Sequence, residues 1–309
     1  MDRTEGYLLR AIGNDLYFDL TICLAASIRL QMDARPILIF TDNPKHPLLE
    51  EYSYMFDGII DITPYKQELV DRYGLTTPAE VGGILPRLLT HLSPYNRTIM
   101  LDSDIMMIKD TAPLWNISQN YNFTMIGCDT VYPGWGEMAD CDIQHTSKII
   151  AKDVGQSFPV HLREVHAGIT WLDKSETTAK VMSLFKESLL ENRHQRYFPK
   201  VFKMWYGKND EMATMYAMSL LDLPVIPYNR NLLSLNPDYF SVEDGVADMG
   251  DLYQGRVQHL NGKMSFVDTC PVAAHFFRKA NDSNFWRNKK FLYEWVNIMM
   301  PGANLNFLG

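Results

Sequence analysis

Apolar runs of strand length alternate with amphipathic stretches of helical length along the first half of the chain. The run from Tyr7 to Gly13 predicts a first strand, and apolar positions at helical spacing between Asp15 and Leu30 predict a helix after it. A second apolar run, residues 36–40, predicts another strand, which ends in the turn residues 41–44. A strand, helix and strand of these lengths form a βαβ unit, which implies a parallel sheet.

The same alternation continues along the chain and becomes less regular after residue 228. The segment 130–163 has no clear periodicity, and its glycine- and aromatic-rich part, Tyr132–Gly136, predicts a loop over a site. The other predicted elements are strands at 58–62, 98–101, 123–128, 165–172, 223–227 and 271–277, helices at 80–92, 176–191, 209–221 and 285–300, and a hairpin at 256–267 around Asn261-Gly262. Since there are no repeats or Pro/Gly linkers, we expect one α/β domain, residues 1–309, with an elaborated C-terminal half.

Composition and charge narrow the class of protein. The chain has 309 residues, of which 46% are hydrophobic and 21% charged, the balance of an ordinary globular protein with a substantial core. The formal net charge of −8 argues against a broad, non-specific surface for nucleic acid. Four scattered cysteines without Cys-x-x-Cys spacing argue against structural zinc and a disulfide framework. Without a signal-peptide pattern or an apolar run of about 20 residues, we expect a cytoplasmic protein with no membrane span.

Two carboxylates stand at the end of the central predicted strand. The apolar run 98–101 is followed by Asp102-Ser103-Asp104 and then by a second apolar run. Alternate side chains of an extended segment share a face, so Asp102 and Asp104 should project together at the carboxyl end of the strand, where open α/β sheets bind ligands. Two such carboxylates need a cation between them or a raised pKa on one, and hard oxygen ligands suit Mg²⁺ or Mn²⁺. A strand-end turn is the plainer interpretation, but the position between two apolar runs favours a metal site.

A second candidate site follows the first predicted strand. The turn Gly13-Asn14-Asp15 begins a helix whose N-terminus could bind a phosphate or a nucleotide. The dinucleotide fingerprint G-x-G-x-x-G is absent from this turn, so we do not expect NAD.

The order of these elements and six short motifs resemble glycosyltransferase family 8, a group of nucleotide-sugar glycosyltransferases with the GT-A fold. The resemblance extends from about Tyr7 to Lys279. Each motif alone is weak, but six in the family's order are hard to obtain by chance. The motifs are Leu85-Pro86-Arg87-Leu88-Leu89, Met100-Leu101-Asp102-Ser103-Asp104-Ile105, Lys109-Asp110-Thr111-Ala112-Pro113-Leu114-Trp115, His166-Ala167-Gly168-Ile169, Asn209-Asp210-Glu211-Met212-Ala213 and Pro227-Tyr228-Asn229.

The resemblance implies a Rossmann-like GT-A fold, with a mixed, mostly parallel sheet flanked by helices. Residues 1–130 would form the nucleotide-sugar-binding half, and residues 131–309 the half that binds the acceptor and completes the metal site. Asp102, Asp104 and a histidine would hold Mn²⁺ or Mg²⁺, and Asp210 and His166 would lie near the transferred sugar or the acceptor. The residues expected at the donor are Ile12, Gly13, Asn14, Arg87, Asp102, Ser103, Asp104, Ala167, Gly168, Lys263 and Lys279.

Two departures from the family pattern concern histidines. His166 stands where the family usually has asparagine. The family's C-terminal His-x-x-Gly-x-x-Lys motif is not intact: His259 has Gly262 at the right spacing but Lys263 comes early, whereas His275 lies on a stronger predicted strand without the glycine. One of His259 and His275 would be the third metal ligand, and we favour His275 because the end of a buried strand holds a ligand better.

The function implied by the resemblance is metal-dependent transfer of a hexose or pentose from a nucleotide sugar, UDP-linked, to a hydroxyl acceptor, with retention of configuration. A divalent ion would neutralise the departing nucleoside diphosphate, and Arg87 would add fixed positive charge. The expected acceptor is a saccharide, although the basic stretch 193–208 leaves a hydroxymethylated DNA base open. Two alternative functions have less support. A nucleotidyltransferase usually needs a Gly-rich phosphate loop near the N-terminus, which this sequence does not supply. The intact Asp102/Asp104 pair argues against a protein that binds a sugar without turnover.

Several of these residues also have plainer interpretations. Without the resemblance, Arg87 would be taken for a surface arginine. Asp210 and Glu211 could be favourable charges in the first turn of a helix whose N-cap would be Asn209. His166 could be a strand residue whose ring is satisfied by its neighbours.

Overall fold

The computed structural model describes residues 4–127, 143–163, 165–197, 208–229, 232–236, 256–258, 264–266 and 272–276. The strands are β1 Glu5–Ala11, β2 Ile37–Thr41, β3 Gly58–Asp61, β4 Arg97–Leu101, β5 Ile105–Met107, β6 Phe123–Gly127, β7 Val165–Asp173, β8 Leu233–Asn236, β9 Arg256–Gln258, β10 Met264–Phe266 and β11 Ala273–Phe276. The helices are α1 Asp15–Leu30, α2 Pro47–Glu51, α3 Thr63–Tyr73, α4 Pro78–Leu88, α5 Ala112–Ser118, α6 Ile143–Asp153, α7 Glu176–Leu190, α8 Arg193–Tyr197 and α9 Asp210–Leu220.

A six-stranded sheet with the order β3-β2-β1-β4-β7-β6 forms the centre of the protein. Strands β3, β2, β1 and β4 pair in parallel, and β7 runs antiparallel to both of its neighbours. The expected mixed, mostly parallel sheet is therefore confirmed. The chain moves outward from β1 to β3 and returns as β4 on the other side of β1, so the strand order reverses between β1 and β4. Open α/β sheets bind ligands in the crevice beyond the strand ends at such a point.

A smaller sheet with the order β5-β11-β8 completes this region. Strand β11 runs antiparallel to β5, and His275 is paired with Ile105, the residue after Asp104. Strand β5 thus connects the two sheets, because it begins four residues after the end of β4. The late strand predicted at 271–277 is confirmed, and its pairing brings His275 to the carboxyl end of β4.

The alternation of side chains along β1 divides the core between the two faces of the large sheet. Tyr7, Leu9 and Ala11 belong to the cluster that packs against α1 and the small sheet. Leu8 and Ile12 belong to the other cluster, which includes residues of α4 and α9. All five side chains are at most 5% exposed. Because β1 is apolar on both faces, it forms an interior strand of the sheet.

Several sequence predictions need correction or fall outside the described residues. The predicted strand at 223–227 is wrong: Ile226 makes only an isolated bridge to Ile126, and Pro224 and Pro227 at the two ends of the run have no N–H to donate to a ladder. Helix α6 lies within the segment 130–163, for which the sequence predicted no helix. The antiparallel pair of β9 and β10 confirms the hairpin. The Tyr132–Gly136 loop, the Asn261-Gly262 turn and the helix at 285–300 lie outside the described residues.

Among the described residues, no helix combines the length and the apolar character that crossing a membrane requires.

Candidate active site

The two predicted carboxylates lie just beyond β4, in the crevice where the strand order reverses. The backbone N–H of Asp102 donates to the carbonyl oxygen of Gly168 on β7, 2.9 Å away, so the antiparallel pairing of β4 and β7 continues to the first carboxylate. Ser103 and Asp104 are only 3% and 4% exposed, respectively, although both are polar. A buried acidic pair at this end of the sheet needs a compensating positive charge.

His275 joins the two carboxylates. Its Nε2 lies 3.0 Å from Oδ1 of Asp104, and the candidate ligand atoms of Asp102, Asp104 and His275 all lie within 4.8 Å of one another. Adjacent ligands of an octahedral Mg²⁺-like ion, each about 2.1 Å from it, stand about 3 Å apart. The three side chains therefore fit a divalent cation with small rotations. His259 lies outside the described residues, so the choice of His275 over His259 stays a prediction.

A chain of buried hydrogen bonds connects Asp104 to the strand behind it. The ring of His275 is bonded through Nδ1 to Nε2 of His166 at 3.1 Å, and the N–H of Gly168 donates to Nδ1 of His166 at 3.2 Å. Burial, and next the neighbouring His275, lower the pKa of His166 well below its usual value, so its ring is neutral. The ring of His166 thus lies between the Gly168 N–H and the ring of His275, whose Nε2 faces Asp104.

Glycine is required at position 168 by the packing of these two rings. A Cβ atom there would lie 2.7 Å from Cε1 of His166 and 2.9 Å from Nδ1 of His275, closer than carbon atoms approach. The Ala167-Gly168 pair was predicted to contact the donor. Its observed contacts include Arg87, which bonds the Ala167 carbonyl, and the two histidines.

Arg87 is buried behind the site, so its interpretation as a surface arginine is wrong. The side chain is 2% exposed, and its nitrogens donate to three groups. The acceptors are Oδ2 of Asp210 at 2.6 Å, the hydroxyl of Thr170 at 2.9 Å and the carbonyl of Ala167 at 2.9 Å. Burial alone would raise the pKa of the Asp210 carboxyl, but the Arg87 and Arg10 guanidinium groups outweigh it and hold the pKa below its usual value. Asp210 is therefore ionised at neutral pH.

The N-terminus of α9 is docked onto β7 by its own first-turn residues. Asn209 caps the helix, as its Oδ1 accepts from the backbone N–H groups of Glu211 at 2.7 Å and Met212 at 3.2 Å. Glu211 in turn accepts from the N–H of Ala167 at 2.8 Å. The sequence predicted the cap, and it predicted Glu211 as part of a motif or as a favourable charge in the first turn. The hydrogen bond between Glu211 and Ala167 also joins α9 to β7 at the site, which the sequence did not predict.

A cavity of about 190 Å³ opens in front of Asp210 and the end of β4. Of the residues expected at the donor, Ile12 and Ser103 line it. Gly13, with a φ of +96°, donates its N–H to Oδ1 of Asp42 at 3.2 Å, and Asn14 begins α1 as an exposed residue. Lys263 and Lys279 lie outside the described residues. The lining residues are Arg10, Ile12, Tyr17, Pro78, Ala79, Gly82, Gly83, Ser103 and Asp210.

A larger cavity, of about 510 Å³, lies at the opposite end of β4 and is not continuous with these residues. It is lined by Thr98, the second residue of β4, and by Asp173, the last residue of β7. The smaller cavity, which lies beside the carboxylates, is therefore the candidate site for a donor, since volume alone does not define a binding site.

Arg10 is a candidate site residue that sequence reasoning missed. Its Nη2 lies 2.6 Å from Oδ1 of Asp102, and it lines the smaller cavity. The available signal was a single arginine inside the otherwise apolar run 7–12. A charged residue in a buried strand needs a partner, and the sequence offered no means of choosing one.

No protein-family model and no curated relative matches this chain in sequence. Solved structures do match it. The galactosyltransferase LgtC, solved with donor and acceptor sugar analogues, has a TM-score of 0.51 at 10% identity over 96% of both chains. The bifunctional glycosyltransferase WbbM gives a TM-score of 0.54 at 11% identity, over 96% of this chain and 50% of its own. Mouse xyloside xylosyltransferase 1 gives 0.51 at 10% identity, over 90% of this chain and 100% of its own.

These likenesses show the fold of the chain. It is the GT-A fold that these glycosyltransferases share, as the sequence motifs led us to expect. Membership of family 8 in particular stays a prediction.

Proposed function

We propose that the protein is a metal-dependent glycosyltransferase. It transfers a hexose or pentose from a UDP-linked sugar to a hydroxyl group of a saccharide acceptor, with retention of anomeric configuration. The observation that supports this most directly is the meeting of Asp102, Asp104 and His275 beside a cavity at the point where the strand order reverses. The GT-A fold supports sugar transfer in general. UDP as the nucleotide, retention and a saccharide acceptor follow from the resemblance to family 8.

The site has the parts that such a reaction needs. Asp102, Asp104 and His275 would hold Mn²⁺ or Mg²⁺, which when bound neutralises charge on the departing diphosphate. The donor lies in the cavity, with its sugar towards Asp210. A glycosyl transition state has oxocarbenium character, and an ionised carboxylate in a water-poor cavity stabilises the positive charge that develops on the sugar.

Three other residues keep Asp210 in place. Arg87 holds its Oδ2 and keeps it ionised. Asn209 caps the helix that Asp210 begins, and Glu211 ties the same turn to β7. His166 does not line the cavity and bonds His275 instead, so we assign it to positioning the metal ligand rather than to contact with the sugar.

The first test measures hydrolysis of a panel of nucleotide sugars with Mn²⁺ and with EDTA. We expect slow release of the nucleotide from one UDP-sugar, abolished by EDTA and by the double variant Asp102→Asn/Asp104→Asn. Asp71→Asn, which removes an exposed carboxylate on α3, is the matched control and should retain the activity. The donor that is cleaved then serves to screen saccharide acceptors and hydroxymethylated DNA.

Other outcomes of this test would contradict the proposal. Metal-dependent binding of a donor without hydrolysis or transfer would indicate a sugar-binding protein. Formation of a nucleotide sugar from a nucleoside triphosphate and a sugar phosphate would indicate a nucleotidyltransferase. Equal activity in the Asp102→Asn/Asp104→Asn variant would remove the basis of the metal site.

A further inference from the structure

Arg10 and Asp102 meet because of the register of the two central strands. Leu8 of β1 is paired with Met100 of β4, and both belong to the same core cluster. Alternate residues of a strand share a face, so two residues further along each chain, Arg10 and Asp102 lie side by side on this face. The ion pair is thus set by the sheet itself, at the position where the ladder ends and the crevice begins.

The contacts of Arg10 are few and one-sided. Its Nη2 lies 2.6 Å from Oδ1 of Asp102, with the two side chains 15% and 14% exposed. Its Nη1 makes only long hydrogen bonds, 3.3 Å and 3.4 Å, to the carbonyls of Gly82 and Gly83 in α4. Arg87, in contrast, has three short bonds and is 2% exposed. Arg10 is therefore held mainly by Asp102, with a weaker electrostatic contribution from Asp210.

Arg10 is also the one cationic side chain among the residues that line the 190 Å³ cavity. The carboxylate of Asp210, which is paired with Arg87, lines the same cavity. A nucleoside diphosphate in this cavity would find Arg10 as its only fixed positive charge among these lining residues.

We propose that Arg10 alternates between Asp102 and the diphosphate of the donor. Nη2 of Arg10 contacts Oδ1 of Asp102, which is one of the two carboxylate oxygens that a divalent ion could use. A cation bound to this oxygen at about 2.1 Å repels the guanidinium and displaces it. The displaced guanidinium then binds the diphosphate in the adjacent cavity. The inference rests on the function proposed above, and it adds a residue that couples the metal to the donor.

A coupling between two ligands follows from this exchange. Metal binding alone must break the Arg10–Asp102 pair, whereas metal binding with the donor present gives Arg10 a new anionic partner. The metal and the nucleotide should therefore strengthen each other's binding by the same factor, typically about 5- to 150-fold between coupled sites. Direct contact between the metal and the diphosphate would also couple the two ligands, so the share that belongs to Arg10 is the coupling lost when Arg10 is replaced.

The experiment measures Mn²⁺ and UDP affinities by calorimetry, each ligand alone and with the other present. For the wild type we expect a coupling factor of at least about 5. Arg10→Met should bind Mn²⁺ alone about tenfold more tightly and UDP with Mn²⁺ about tenfold more weakly, which moves the coupling factor towards 1. Arg10→Lys retains the positive charge but not the planar guanidinium that can bind two oxygens at once, and it should retain part of the coupling. Arg29→Met, which removes an arginine bound to Asp57 and to backbone carbonyls away from the site, should change neither affinity.

The results separate this inference from the proposed function. Weaker Mn²⁺ binding by Arg10→Met, or unchanged coupling in this variant, would overturn the role of Arg10 and leave the transferase proposal intact. Independent binding of Mn²⁺ and UDP to the wild type would overturn it as well, even if Arg10→Met failed to fold. If the wild type bound neither Mn²⁺ nor UDP, both the inference and the metal-dependent function would be wrong.

Discussion

Replacing Arg87 with methionine tests whether its buried ion pair with Asp210 holds the site together. Methionine keeps most of the apolar volume but removes the three donor contacts to Asp210, Thr170 and Ala167. It also leaves the Asp210 carboxylate, whose side chain is 14% exposed, without its nearest counter-charge. The variant therefore removes a charge-assisted network while making little change in packing.

The expected loss can be worked from these contacts. Breaking a buried ion pair by removing one partner costs about 3–5 kcal/mol, because the remaining charge is left uncompensated. For a chain of 309 residues, an unfolding entropy of about 2.1 cal/mol/K per residue converts this loss to a Tm lower by roughly 5–8 °C. Arg196→Met is the matched control, since Arg196 is 65% exposed in its pair with Asp153 and should cost less than about 1 kcal/mol.

The pH dependence provides a second measurement with a defined sign. In the wild type the pKa of Asp210 is lowered from 3.8, so its stabilising contribution is present above pH 3.8 and is lost as the pH falls through the lowered value. In Arg87→Met, burial is no longer offset by Arg87 and the pKa of Asp210 should rise. The deficit in unfolding free energy should then be largest at neutral pH and shrink as Asp210 is protonated.

Urea denaturation of Arg87→Met, of Asp210→Asn and of the double variant Arg87→Met/Asp210→Asn completes the test. Neutralising Asp210 in the Arg87→Met background should recover at least about 1 kcal/mol, because no unpaired charge remains. A loss below about 1 kcal/mol for Arg87→Met would refute the reasoning. So would a deficit that stays constant down to pH 4, or a double variant less stable than Arg87→Met.

Three further predictions concern the same region. Gly168→Ala should displace the His275 ring and weaken Mn²⁺ binding, measured by calorimetry; unchanged affinity would show that the rings can shift at no cost. His166→Ala should weaken Mn²⁺ binding about tenfold through loss of the bond to His275, whereas a structural defect alone would lower Tm without changing the affinity. Glu80→Gln should lower the free energy of unfolding, measured by urea denaturation, by about 0.5–2 kcal/mol, because Glu80 completes the cap of α4 and accepts a hydrogen bond from the N–H of Lys208. Since these bonds lower the pKa of Glu80 from 4.5 despite its burial, the difference between variant and wild type should disappear as the pH falls below 4.5.

Much of the fold could be predicted because its signals are local. The apolar runs of β1, β2, β4 and β7 and the amphipathic pattern of α1 and α7 agree with the structure to within two residues at each end. Helices α2 and α3 and strand β8 were not predicted: α2 and β8 have only five and four residues, and α3 has only one buried residue, so none of them has a strong apolar pattern. The strand predicted at 223–227 failed because hydrophobicity alone ignores the missing N–H groups of its prolines.

The candidate site likewise has features that local sequence predicted and features that it did not. Sequence alone predicted the carboxylate pair at the end of a strand, but not its local backbone: Asp102, Ser103 and Asp104 form a turn, in which the N–H of Ile105 donates to the Asp102 carbonyl at 3.2 Å, rather than the expected extended segment. It also determined that Asn209 caps a helix that begins with Asp210, since a cap is a contact between neighbours.

Only the tertiary structure decided which distant residues join them. His275 reaches Asp104 across 171 positions because β11 pairs with β5, and Arg87 reaches Asp210 across 123 positions. Arg10 meets Asp102 because β4 pairs with β1 rather than with β3. The order of the strands depends on how the faces of the whole sheet are buried. This burial is a sum over many residues, so no local sequence pattern contains it. The chemistry at the end of β4 was therefore visible in the sequence, whereas the partners that orient and compensate it became visible only in the assembled sheet.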